Sequence, residues 1–590
     1  MRALNSLKRS IKRALNASTK TTEPIEIERT RRSRSSSSAS NEIDDLARKI
    51  EQKKSLKIGL EIHLQLTKIS KKLFSLAKNE HFCSMNTNVH AFDRADPGSL
   101  PRLNMECVSS AVKLGVALNA QVQSRSEFDR KHYFYRDLPH GYQITQYRKP
   151  VCLGGVIKIC GDDFERGDRD GGNGNSDNDV RIERVQIEMD TAKTYSADDD
   201  VDDAKTKVDL NRAGACLLEI VTMPDITSEE HAVKTVEGVI GIARFLEISD
   251  ANLEDGSIRV DVNVSVRDGD KTTDRTEIKN LNSLRSIKNA ISFEKNRHFE
   301  FLKRGDVVHR ETRTWDEKKN ETIVLRTKES LLDYRFMREP DVLPIILSEE
   351  DIERVRKTVG EMPKQALVRL RNLGISKEQA RFLSSHPSSV KYFDDVLSNI
   401  TESLLMISSS NKDEDENVTI AKSVSNFVCV EIVGVLRDAG VSTKGKPPFL
   451  GIEEKTALTP KRVAEVLTLL KNQEMISGRM AKDVLKFLAR NDKRAIVDIV
   501  DEELGGSLIG SSGDSNNNSS SKSSSEEKDA ESLDEICKIV VETLVEEREA
   551  LKKNPKVFGA FVGEVMKRTK GRADPKLVSS TIKHLLRDYD

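Results

Sequence analysis

The chain has no run of about 18 consecutive apolar residues, so nothing in it reads as a membrane span. It also has no Cys-x-x-Cys pair. Its seven cysteines, at 83, 107, 152, 160, 216, 429 and 537, are too scattered for a disulfide framework or a thiolate zinc site, and their use suits a reducing compartment. Net charge is absent too: Lys plus Arg equals Asp plus Glu at 96 each, so only local charge can select a partner. No G-x-x-x-x-G-K-[ST] occurs, so any nucleotide is held without a P-loop. At 590 residues the chain exceeds what one core can organise, and three or four domains are expected.

What is present is a set of alternating strands. In LKIGLEIHLQL (56–66) the apolar residues take every second place, and Gly59, Glu61, His63 and Gln65 share the other face. Glu61 and His63 then project from one side, about 6.6 Å apart along the strand. IERVQIEMD (182–190) repeats the pattern with Arg184, Gln186, Glu188 and Asp190. CLLEIV (216–221) is apolar enough to be covered on both faces yet carries Glu219, a carboxylate that burial would force to be paired, protonated or metal-bound. In GSIRVDVNVSVR (256–267), Arg259, Asp261, Asn263 and Ser265 share the polar face. Four strands of a largely antiparallel sheet thus offer acids and one imidazole, a donor set suited to a hard divalent ion such as magnesium. Unrelated Glu/Arg pairs on a wet face fit the same spacing, because spacing does not make strands neighbours.

Further along, TEIKNLNSL (276–284) ends a strand and opens a helix expected from about Ser283 to Arg304, stopped by Gly305. Lys279, Asn280 and Asn282 fall at that junction, which is either a phosphate-binding helix start or an ordinary capped one. Beyond Ser348 the pattern turns helical. Thr459-Pro460 starts one helix and Met480 to Leu488 continues with another. Residues 551–590 hold ten Lys or Arg against four acids, among them Lys567, Arg568, Lys570 and Arg572, which suits either RNA phosphates or a solvated face. At the other end, residues 1–22 hold six Lys or Arg and no acid, with Leu4, Leu7, Ile11 and Leu15 on one helical face. That is the make-up of an organelle transit peptide, mitochondrial before plastid.

Several motifs are similar, in order and spacing, to one family. IGLEIHLQL, EFDRKHYFYRDLPHGYQITQ, DLNRAGACLLEIVTMPDI, LEDGSIRVDVNVSV, EIKNLNSL and DYRFMREPDVLP resemble the B subunit of the glutamyl/aspartyl-tRNA amidotransferase, in its organellar form, over about residues 55–590. The resemblance implies a ligase that consumes ATP to phosphorylate the side chain of glutamate mischarged on tRNA(Gln), then amidates it with ammonia. It implies Glu61, His63, Glu188, Glu219 and Asp261 as the catalytic set, with His63, Glu188 and Glu219 on magnesium and Lys279, Asn280 and Asn282 beside ATP. It implies partners as well: an amidase-type A subunit that hydrolyses glutamine, a small C-type subunit, and the mischarged tRNA, gripped by the tail.

Where many members place zinc-binding cysteines, this chain reads Ser75, Ala77, His90 and Asp93, so zinc is not expected. Met189 stands where a second acid is usual, and Arg338 replaces a proline. The expected architecture is α+β. A transit peptide and linker (1–50) precede a catalytic sheet domain (51–345), a helical connecting domain (346–450) and a helical tRNA-binding tail (451–590) with a Ser/Asn-rich insert at 505–530. A second polar, Gly/Asp-rich insert is expected at 162–179. The competing readings are a non-catalytic helical RNA-binding or assembly protein and a metal-dependent phosphohydrolase acting alone.

Overall fold

A computed structural model describes residues 54–80, 83–159, 178–195, 206–327, 333–407, 414–441, 449–471, 476–504, 533–544, 557–569 and 575–587. The transit-peptide region, most of the 162–179 tract and the 505–530 insert lie outside the described residues.

The alternating strand of the sequence forms Lys54–Gln65 and lies in the middle of an eleven-stranded sheet. Ile258–Asp268 pairs with it on one side and Cys216–Thr222 on the other, and Val180–Met189 follows, all antiparallel. The four acid-bearing strands are therefore consecutive neighbours. Outward from Ile258–Asp268 come Thr276–Leu281, Glu311–Asp316 and Glu321–Thr327; among the described strands only the pair Thr276–Leu281 and Glu311–Asp316 runs parallel.

Period two decides which face is dry. Leu56, Ile58, Leu60, Ile62 and Leu64, with Val260, Val262, Val264 and Ile220, point to one side and are buried. The helices Met105–Ala117, Glu229–Phe245 and Leu284–Arg304 contribute their apolar faces to the same core cluster. Each helix is started by a side-chain cap, Asn104, Ser228 and Ser283 respectively, and Gly305 ends the third at φ +81°. The opposite face is not left to water. A small antiparallel sheet led by Arg125–His132 and Tyr142–Lys149 lies against Val180–Met189 there, joined by the short Met337–Arg338 and Ile345–Ile346 strands. The polar face of the large sheet is thus partly an interior.

Helices follow from Glu349–Arg356 onward. Among the described residues one apolar cluster gathers members from Leu367 to Val500, on both sides of residue 450, so packing divides the helical part after Leu504. Within it, Asn417–Asp438 is long and apolar enough to cross a membrane by length and composition. Its Ile420, Val424, Phe427, Val428, Ile432 and Leu436 are buried in that cluster, as in the core helix of a bundle. The last helices, Leu533–Thr543, Phe558–Arg568 and Pro575–Arg587, enclose a small core of their own around Val540, Phe561, Val565 and Ile582.

Candidate active site

Strand register brings the polar residues into rows. Glu61 lies opposite Asp261, and His63 lies between Arg259 and Glu219, with Gln186 next in line. Ligand atoms of Glu61, His63 and Glu219 all lie within 4.8 Å of one another, near enough that the three could hold one cation. His63 Nε2 is 3.6 Å from Glu61 Oε1. Glu188 does not join this close group. It pairs one step along, opposite Leu217, and its Oε1 accepts a 2.6 Å hydrogen bond from Gln143 Nε2 while its buried Oε2 has no hydrogen-bond partner.

Asp261 is held on the other side of Glu61. Its Oδ2 is 2.7 Å from Lys279 Nζ and its Oδ1 accepts from the Asn280 backbone N–H at 2.8 Å. That N–H reaches the carboxylate because Asn280 adopts φ +58°, a left-handed conformation that Asn tolerates better than most residues, beside a register shift between Val260 and Val262. Burial alone would raise the Asp261 carboxyl, but Lys279 and His63 outweigh it and hold it below its ordinary value. Burial would likewise lower the Lys279 ammonium, yet Asp261, Glu277 and Glu61 raise it instead. Asn282 lines another cleft, which Lys234 and Arg369 also border. The helix start beyond it is closed by its own cap, Ser283 Oγ accepting from Ser286 N at 3.0 Å.

Glu219 is the uneasy member. It is 4% exposed, and burial followed by the charges of Glu188 and Glu61 pushes its carboxyl well above the ordinary range, against the pull of Lys131 and Arg184. Gln186 Nε2 donates to its Oε2 at 2.6 Å. A buried acid crowded by two others is held protonated unless a cation meets it, and Glu61, His63 and Glu219, two carboxylates and one imidazole, could hold a hard divalent ion.

Spacing along the four acid-bearing strands did not reveal what covers them. Lys131 lies opposite Gln143 on the covering sheet, and its ammonium is 5.1 Å from the Tyr334 ring centre. Burial works to lower its pKa, but Glu188, Glu219, Tyr334 and Glu61 raise it, so it faces the acids as a cation. Tyr133 donates to Gln143 Oε1 at 3.1 Å and thereby orients the amide that holds Glu188. The available signal was the alternation of Asp129, Lys131 and Tyr133, with Gln143 and Thr145, in EFDRKHYFYRDLPHGYQITQ. Asp190, expected on the same polar face, is neutralised by Arg259 Nη2 at 2.9 Å and Arg212 Nε at 3.3 Å.

At the positions Ser75, Ala77, His90 and Asp93, internal bonds are made. Buried Asp93 takes Lys72 Nζ at 3.0 Å and the His90 N–H at 2.9 Å, and Ser75 Oγ accepts from Ala77 N at 3.3 Å. In the tail, Lys567 and Arg568 lie at the end of the Phe558–Arg568 helix, 3.8 and 3.5 Å from Glu564; Lys570 and Arg572 lie outside the described residues.

Comparison with known families decides what this sheet is. Residues 56–353 match the GatB/GatE catalytic domain, and residues 411–586 match the GatB domain. The chain belongs to the GatB family. The chloroplastic/mitochondrial B subunit of the glutamyl-tRNA(Gln) amidotransferase of Ostreococcus tauri is 43% identical over 89% of this chain and 91% of its own length. The B-2 form from Micromonas commoda, also chloroplastic/mitochondrial, is 39% identical over 90% of this chain and 87% of its own. The B subunit of the aspartyl/glutamyl-tRNA(Asn/Gln) amidotransferase of Pelagibacter ubique is 34% identical over 90% and 96%. The match to the catalytic domain ends at 353, so it takes in both sheets described above.

Proposed function

We propose that this chain is the ATP-consuming subunit of a tRNA-dependent amidotransferase that converts Glu-tRNA(Gln) to Gln-tRNA(Gln). The observation that carries the reading is the convergence of Glu61, His63 and Glu219 within 4.8 Å on a face that also bears Asp261 and Lys279 and is met by Lys131 from the covering sheet. Membership of the GatB family and the names of its relatives support the substrate and the need for further subunits. Those subunits are an amidase-type A subunit that releases ammonia from glutamine and a small C-type subunit. An organellar site accords with the relatives' names, and we place it in the mitochondrion ahead of the plastid.

In the first half-step an oxygen of the glutamyl side-chain carboxylate bonds to the γ-phosphorus of ATP, and the bond to ADP breaks. Such transfers depend on positioning and charge neutralisation more than on covalent help from the protein. Glu61, His63 and Glu219 would hold magnesium, which supplies neutralising charge to the phosphates. Lys279, fixed by Asp261, keeps a second positive charge beside Glu61. In the second half-step ammonia nitrogen bonds to the carbonyl carbon, the carbon–oxygen bond to phosphate breaks, and a proton is released. We assign Glu188 Oε2, buried and without a partner, as its acceptor.

Glu61→Ala in the assembled complex separates the half-steps. Glutaminase activity of the partner should persist, whereas Gln-tRNA formation should fall at least a hundredfold, on the order of one lost charge-stabilising group, and free ammonium should not restore it. A variant in the partner's nucleophile should instead be rescued by ammonium. Near wild-type product from Glu61→Ala with ammonium would reduce Glu61 to a strand-face residue.

A further inference from the structure

The loop between the two long strands of the covering sheet presents aromatic rings to solvent. Phe134 is 79% exposed and Tyr135 59%, in a chain whose aromatic residues are otherwise mostly packed. These rings are not on a loose tip. Backbone hydrogen bonds tie Leu138 N to Tyr135 O, Gly141 N to Leu138 O, Tyr133 N to Gly141 O and Ala192 N to Asp137 O, all between 2.9 and 3.2 Å. Gly141 sits at φ +71°, where a Cβ would come within 3.0 Å of the Phe134 ring, so the glycine gives that ring its seat. Tyr133 and Tyr135 meet edge to face at 5.5 Å. A rigid loop thus holds two apolar rings in water at a cost that packing does not explain.

Position and the exposed side chains around the loop say what would cover them. Lys131 and Tyr133, just before the loop, reach the acids, Tyr133 through Gln143 to Glu188. The loop also edges a cleft of about 890 Å³ together with Thr194. Across that cleft the short strands Lys193–Tyr195 and Lys207–Asp209 form a hairpin whose Lys193 and Lys207 are exposed. Arg136, itself exposed, bonds to this hairpin at Thr206 Oγ1, 2.7 Å away. Stacking faces on one element and cations on another are the footprint of single-stranded nucleic acid, with rings for bases and cations for phosphates. Two rings and three cations spread over two elements fit a run of nucleotides better than one mononucleotide.

We propose that Phe134 and Tyr135 are the stacking platform for the unpaired acceptor end of the charged tRNA, with its terminal adenine on these rings. This inference rests on the amidotransferase reading above. The amino acid is esterified to that terminal ribose, so anchoring the base beside the loop directs the glutamyl side chain toward Glu61 and Glu219. Arg136, Lys193 and Lys207 would take the phosphates of the preceding nucleotides.

The test uses the complete complex with Phe134→Ala and Tyr135→Ala. Each should raise the KM for charged tRNA about tenfold, the loss of one base stack, while the KM for ATP stays within twofold. Phe134→Tyr and Tyr135→Phe, which keep the ring, should restore the tRNA KM. Removing the terminal adenosine from uncharged tRNA should weaken its binding to wild type but change its binding to Tyr135→Ala little, since one interaction cannot be lost twice. An unchanged tRNA KM in both alanine variants, or a rise in the ATP KM instead, overturns the platform. A wild-type complex that makes no Gln-tRNA overturns the underlying reading, a result distinct from an active complex indifferent to these rings.

Discussion

Glu219 carries the sharpest electrostatic conflict among the residues of the large sheet. Burial and two neighbouring acids raise its folded-state pKa above the unfolded value. Its protonated form therefore contributes stability below the ordinary carboxylate range, and that contribution is lost as the pH rises through the folded value. In metal-free protein Glu219→Gln, which keeps the shape of the neutral acid, should melt a few degrees above wild type near pH 8, and the margin should close near pH 4. Added magnesium should raise the wild-type melting temperature by mass action and do less for the variant. Calorimetry of the complex with and without magnesium checks both statements, and an equal magnesium shift in the two proteins would remove Glu219 from the cation site.

Among the elements, the Leu284–Arg304 helix holds the outer strands in place through one buried carboxylate. Glu294 is fully buried and meets Arg297 Nη2 at 2.7 Å, Arg313 Nε at 3.2 Å, His298 Nε2 at 3.3 Å and the Thr322 hydroxyl. His298 in turn bonds Thr273 at 2.8 Å and Thr276 at 2.9 Å, so one network ties the helix to the strand that carries Lys279. Burial opposes ionisation here, but the hydrogen bonds from His298 and Arg297 prevail and bring the Glu294 carboxyl from its ordinary 4.5 to about 2. A folded pKa below the unfolded one gives stability that is present above 4.5 and lost as the pH falls toward 2. A shift of that size corresponds to roughly 3 kcal/mol. Glu294→Gln should cost about that much at pH 7 and less than half of it near pH 3. Denaturant melts at the two pH values check it; an equal cost at both would mean that shape, not charge, is what Glu294 contributes.

The same elements show what the sequence could and could not disclose. Alternation in 56–66 and 256–267 reads directly as strands, because a half-buried strand has no other economical pattern, and Ser283 and Gly305 mark the helix ends because their chemistry is local. That Glu61 faces Asp261, and His63 faces Glu219, depends on strand order, which no local pattern encodes. The alternative of a wet polar face does not hold for Glu188, because a second sheet, from the intervening segment 125–149, folds back over it; the burial of Glu219 is the one expected from the apolar residues around it. The role of Lys131 is hidden from local pattern for the same reason: it exists only once two distant strands stack. Asn280 looked like a ligand residue, whereas its backbone N–H is what reaches Asp261.

At the scale of the whole molecule, the tail is energetically separate from the rest. Its core of Cys537, Val540, Val541, Phe561, Val565, Val578 and Ile582 is a cluster distinct from the one that ends at Val500. Removing it should therefore leave both the sheet domain and the main helical cluster folded. Its surface carries the charge: the Lys567 side chain is 81% exposed, and Glu564 is a partner too distant and too wet to neutralise it strongly. We expect a chain ended near Ser511 to assemble with its partners and to keep its magnesium-dependent thermal shift, but to bind tRNA more weakly at low salt. The logarithm of its affinity should also fall less steeply with the logarithm of salt, by about 0.7 to 0.9 for each phosphate no longer held. With Lys567 and Arg568 each holding one phosphate, binding isotherms at several salt concentrations should show a slope shallower by about one to two. An unchanged slope would mean that the tail holds no phosphates and that the grip on tRNA belongs to the sheet domain and the main helical cluster alone.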